Sequence, residues 1–121
     1  MRKISTLILL CLTSLLATAQ SPRKTKEINE KFEFVIEFVS KGSGIDSKTK
    51  EKIDDFIKKN EFHPSYDVCL WGREGETDYL FTLKEMKHHE RKKFMRELHE
   101  LITDHELVVL KEDYKVERRC R

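Results

Sequence analysis

The chain has 121 residues, with 24 Lys+Arg against 22 Asp+Glu, five His and three Cys; 38% of its residues are charged and 38% hydrophobic. This length holds one domain with a modest core. The near-balance of charge argues against a dedicated nucleic-acid binder, which carries an excess of positive charge on one face.

The first element is a targeting signal. Arg2 and Lys3 precede an apolar run over residues 4–16, and Ala17-Thr18-Ala19 ends it in the small-x-small pattern of a secretory signal peptide. Residues 1–19 are therefore expected to be a signal peptide, cut between Ala19 and Gln20. The run is too short, against the roughly 20 residues of a spanning helix, to leave a stable membrane insertion. Loss of Arg2 and Lys3 leaves 22 basic and 22 acidic residues, a neutral mature chain. The basic run Arg91-Lys92-Lys93 alternates with Glu90 and Glu97, which suits a solvated helix face, and no nucleic-acid partner is expected.

Cys11 leaves with the signal, so Cys69 and Cys120 remain as an even pair in an oxidising compartment and are expected to bond. Such a bond closes a loop of about 50 residues, with a chain-entropy gain of about 4 kcal/mol.

Residues 20–30 (QSPRKTKEINE) hold one aliphatic residue, Ile28, and read as a mobile leader. Residues 31–40 (KFEFVIEFVS) alternate strictly. Phe32, Phe34, Ile36 and Phe38 form one face; Glu33, Val35, Glu37 and Val39 form the other. After the turn KGSGID, Ile53, Phe56 and Ile57 give residues 48–60 an apolar helical stripe, opened by Asp46 or Ser47 as cap. Residues 66–71 and 78–83 read as strands around a Gly-containing hairpin, WGREGE. Phe94, Leu98, Leu101 and Ile102 mark a second helix starting near His89. Residues 106–114 supply a last strand, and 115–121 a charged tail.

The element order β-α-β-β-α-β resembles the ferredoxin-like fold over residues 31–114. That resemblance implies an α+β domain: a four-stranded antiparallel sheet of order 4-1-3-2 with both helices on one face. It implies little about function, since this architecture hosts unrelated activities. Heavy-metal-associated domains have a similar outline, but the C-x-x-C their first loop needs for soft ions is missing from KGSGID.

No catalytic constellation is legible. The five histidines are poorly spaced for one ion: His88 and His89 diverge on a helix, and His88 and His99 lie about 16 Å apart along it. Met95 and His99 share a face, but two ligands do not make a site. KGSGID lacks phosphate-loop spacing, the serines lack a nucleophile elbow, and Glu33 and Glu37 are about 13 Å apart along one strand. Neither metal nor cofactor is expected.

Two surfaces are candidates for binding. One is the helix-free sheet face, with Val35 and Val39 among charged neighbours. The other is the hairpin with Trp71 and Arg73, residue types enriched at binding hot spots. A Cys69–Cys120 bond competes with the first. Strands two and four are opposite edges about 15 Å apart, and the six-residue reach from Tyr114, about 20 Å when extended, would draw the tail over that face.

The sequence thus leads to a small bacterial exported domain, periplasmic or extracellular, that binds a protein partner or a second copy of itself without catalysis. A small ligand-binding protein or enzyme with a pocket on the open sheet face is the other class left open.

Overall fold

The structure is a computed structural model, and it describes residues 24–121. The expected signal peptide and its Ala19–Gln20 cut lie outside the described residues. Six elements follow in order: β1 (Lys26–Phe38), α1 (Ser47–Lys59), β2 (Asp67–Leu70), β3 (Thr77–Phe81), α2 (His88–Ile102) and β4 (Val108–Cys120). The strands form one antiparallel sheet of order β2-β3-β1-β4, the ferredoxin-like arrangement of an α+β fold.

The helices form where apolar stripes and caps coincide. Asp46 accepts from the Thr49 amide at 3.0 Å to open α1, and Lys58 and Lys59 close it where cations offset the helix dipole. At α2 the Glu90 carboxylate accepts from the Lys87 amide at 2.7 Å, satisfying a donor at the helix entry. Ile53 and Ile57 from α1, and Phe94, Leu98 and Ile102 from α2, pack on Phe34, Ile36, Phe38, Tyr79 and Phe81 of the sheet. Aromatic rings dominate this core: Phe34 meets Phe81 at 5.9 Å between centroids, and Phe94 stacks on Phe56 at 5.8 Å.

Two strands, the central β1 and the edge strand β4, run longer than their sequence pattern indicates. β1 begins at Lys26, inside the segment read as a leader, and β4 continues to Cys120, through the segment read as a tail. The two extensions pair with each other from Lys26↔Cys120 to Phe32↔Tyr114. They lie beyond the reach of α1 and α2, so their sequences lack the apolar density of a central strand.

The alternation along β1 also breaks once. Glu33 bonds Arg91 on α2, and Phe34 packs edge-on against Phe94 on α2, so these neighbours both face the helices. Phe32 and Val35 face the opposite side, packed together with Leu80. The ladder is interrupted here: no pair joins Glu33 to its counterpart Asp113, which sits at φ +52°, a left-handed conformation that a non-glycine residue adopts at a cost. The expected single face of Phe32, Phe34, Ile36 and Phe38 therefore loses Phe32, and Glu33 and Glu37 are on opposite sides.

Past this break the β1–β4 extension bends across the helix-free face as a two-stranded ribbon. Ile28, Phe32, Val116 and Cys120 from the ribbon bury Val35, Leu80 and Cys69 beneath them. Cys69 and Cys120 are disulfide-bonded with Cα atoms 5.0 Å apart, joining β2 to β4 although these are opposite edges of the sheet. The Arg121 amide then donates to the Leu70 carbonyl at 2.8 Å. At this end the sheet is nearly closed on itself, with a second small core inside.

Candidate functional site

Beneath the ribbon lies a network of ionised side chains. Glu37 on β1 and Asp78 on β3 are direct cross-strand neighbours on the covered face, 4% and 0% exposed. Two carboxylates buried side by side need compensating charge. Lys111 of β4 supplies it to Glu37, with Nζ 3.0 Å from its carboxylate. Arg118 of the ribbon reaches both: Nη2 is 2.9 Å from Glu37 Oε1, and Nε is 2.7 Å from Asp78 Oδ2. Trp71, just beyond β2, donates its indole N–H to Asp78 Oδ1 at 2.8 Å. Its ring also carries the Arg118 guanidinium, Cζ 3.8 Å from the ring centroid.

Asp78 is the most constrained member. Burial pushes its carboxyl above the usual carboxylate range, with the Trp71 hydrogen bond and then the Arg118 charge acting against that rise. Its Oδ2 receives no aligned hydrogen bond; Arg118 Nε meets it as an ion contact off the N–H axis. A second polar cluster ties α1 to β3. Tyr79 donates to Asp54, which Lys50 holds at 2.9 Å, and burial first, then that bond, raises the Tyr79 hydroxyl to about 12.

The residues singled out by sequence separate in space. Val35 is fully buried under the ribbon, and Val39, beyond the end of β1, is half-buried. Trp71 is half-buried between Arg118 and Asp78. Arg73 is exposed in the β2–β3 hairpin. That hairpin turns at Gly72, φ +64°, the left-handed region that favours glycine, and a Cβ there would press on the Glu76 carboxylate. Cys69 and Cys120 are brought together. Asp78, Lys111 and Arg118 carry no sequence motif; only the register of three strands collects them around Glu37.

The outer edge of β2 is a different kind of surface. The Trp71 amide donates to the Glu76 carbonyl at 2.9 Å, which by antiparallel alternation turns the backbone groups of Val68 and Leu70 away from β3. The Arg121 amide takes the Leu70 carbonyl; the side chains of Val68 and Leu70 are 52% and 45% exposed, the large apolar residues left open among the described residues. Between the helices an open groove of about 580 Å³ has Phe56 and Leu101 in its lining, with Lys52, Lys59, Lys93 and Glu97 around them. Among the described residues no three His, Cys, Asp or Glu side chains gather as a metal-ligand set, and no helix is long and apolar enough to cross a membrane.

Comparison with protein-family models, curated proteins and solved structures returns no match to this chain. The class of protein is therefore defined by fold and surface alone: a ferredoxin-like α+β domain with a disulfide-fastened ribbon over its sheet.

Proposed function

We propose that this chain is a small exported, non-enzymatic domain that binds another polypeptide along the free edge of β2. The observation that carries the reading is the pair Val68 and Leu70, exposed side by side on an edge strand. Proteins ordinarily protect such an edge with Lys, Pro or a covering segment, because its unpaired N–H and C=O groups template an added strand. Here the protection is partial: Arg121 covers the Leu70 carbonyl and leaves Val68 open. An incoming strand would gain main-chain hydrogen bonds there, with apolar contact to both side chains. Arg73 in the adjoining hairpin offers a charged contact beside that edge. Export is supported by the N-terminal signal pattern and by the Cys69–Cys120 bond, which persists in oxidising compartments.

The reading is tested by native mass spectrometry of the non-reduced protein recovered from its export compartment, wild type beside Val68→Lys/Leu70→Lys. The expected result is a bound second polypeptide, a partner or another copy, on the wild type and none on the double variant, with equal melting temperatures. A wild-type protein that stays alone at micromolar concentration, or a complex that survives the double substitution, would defeat the proposal.

The enzyme or ligand-binding reading draws on the adjacent carboxylates Glu37 and Asp78, since such pairs perform acid–base chemistry elsewhere. In the closed arrangement Lys111 and Arg118 neutralise them and the ribbon bars solvent. That reading requires the ribbon to lift.

A further inference from the structure

The Glu37–Asp78 pair has the makings of a receptor whose guest belongs to the same chain. Its floor is two carboxylates almost wholly out of water, its wall is the face of an indole, and the group between them is a planar cation. A guanidinium suits this enclosure better than an ammonium. It is flat enough to stack on Trp71 while one edge nitrogen donates to Glu37 and another makes an ion contact with Asp78 on a different strand. The buried Asp78 Oδ2, without an aligned donor, leaves acceptor capacity aimed into the same space.

We propose that Glu37, Asp78 and Trp71 form a guanidinium-binding site that the protein fills with its own Arg118, and that the site accepts a guanidinium from solution once Arg118 is withdrawn. Cys120, two residues beyond Arg118, is bonded to Cys69 and holds this guest in place. A tethered group has an effective concentration that a free competitor at low concentration does not match. The wild type is accordingly closed to external guanidinium. In Arg118→Ala, Lys111 neutralises one carboxylate and the other is left buried and unpaired, the condition that draws in a replacement cation. This inference is independent of the β2 edge, and neither stands or falls with the other.

The sole tryptophan of the chain, Trp71, reports on occupancy directly. Methylguanidinium is titrated into Arg118→Ala and wild type at constant ionic strength, following Trp71 fluorescence and melting temperature. The expected result is a saturable fluorescence change and a rise of several degrees in the variant alone. Affinity should exceed that for tetramethylammonium, which stacks but donates no hydrogen bond, by about tenfold or more. An equal response in the wild type, no saturation, or equal response to both cations would overturn the proposal. If Arg118→Ala does not fold unaided, recovery of its circular dichroism on adding methylguanidinium becomes the readout, and no recovery overturns it. Arg118→Lys supplies an independent arm: it keeps the charge without the planar fork, and a melting temperature equal to wild type would show that the site does not select a guanidinium.

Discussion

Single residues here do more than fill a stripe or cap an end. Asp46 opens α1 and also gathers neighbours: it accepts from the Thr49 hydroxyl at 2.6 Å, and that hydroxyl lies 3.0 Å from His105 Nδ1 at the approach to β4. The Thr49 hydroxyl first, then the Thr49 amide, hold the Asp46 carboxyl below its usual range. A carboxylate with a lowered folded-state pKa contributes stability above its ordinary pKa and loses it as pH falls through the lowered value. Asp46→Ala is therefore expected to cost about 1 kcal/mol at neutral pH through the lost cap. Asp46→Asn should retain the cap yet flatten the acid limb of the stability profile, measured by urea unfolding at a series of pH values. Equal acid limbs in the Asp46→Asn variant and the wild type would remove Asp46 from the account. Asp54 and Tyr79 join α1 to β3 in the same manner, so each helix is keyed to the sheet by at least one charged contact: Asp54–Tyr79 for α1 and Arg91–Glu33 for α2.

The element that sets this protein apart from a plain sheet with two helices is the ribbon of β1 and β4. It has little apolar substance of its own, with Ile28 and Phe32 on one strand and Val116 and Cys120 on the other facing the sheet. An isolated two-stranded ribbon is marginal in water, so its order depends on the disulfide and on Arg118. Replacing both cysteines by serine should cost about 4 kcal/mol, the chain-entropy value for a closure spanning 51 positions. The loss should be uneven. Amide exchange is expected to accelerate most at residues 26–32 and 114–120, while α1, α2 and β3 keep their rank order of protection. Uniform acceleration through the whole domain would mean that the ribbon and the sheet unfold as one unit.

This unevenness is also where the sequence stops being legible. The core strand KFEFVIEFVS and the stripes Ile53–Phe56–Ile57 and Phe94–Leu98–Ile102 advertise themselves by period, because each buries a continuous face. The segments TKEINE and KVERRC do not, because the first buries Ile28 alone and the second only alternate residues, each against a partner remote in sequence. The single reversal at Glu33 arises from a left-handed residue at Asp113 on the opposite strand, which no local pattern encodes. The Glu37, Asp78, Arg118 and Trp71 cluster was hidden for the same reason: its members become neighbours only once the strand register is fixed. The cysteines were the exception, since their even number and the reach of the tail carried the bond without knowledge of the ribbon.

At the scale of the whole molecule, two cores share one sheet. The larger lies under the helices and the smaller under the ribbon, and the strands between them, β1 and β3, have no solvent-facing side at their centres. The surface left for recognition is thereby pushed outward to the β2 edge, the hairpin and the interhelical groove. The hairpin is an accessible turn beside that edge, and Arg73 is exposed within it. Limited trypsin treatment should cut after Arg73 early. The non-reduced product is expected to be one water heavier than the starting protein and to separate into two pieces only after reduction. Two pieces before reduction would place the cut outside the span between Cys69 and Cys120.

The bond between β2 and β4 thus makes a covalent ring of everything from Cys69 to Cys120. Within that ring lie β3, α2, all of β4 and both of the loops that join them. One severed peptide bond there creates two new chain ends without creating a second molecule. Damage in the ring is therefore a change of connectivity and not the loss of a fragment, because the bond still holds the two pieces together.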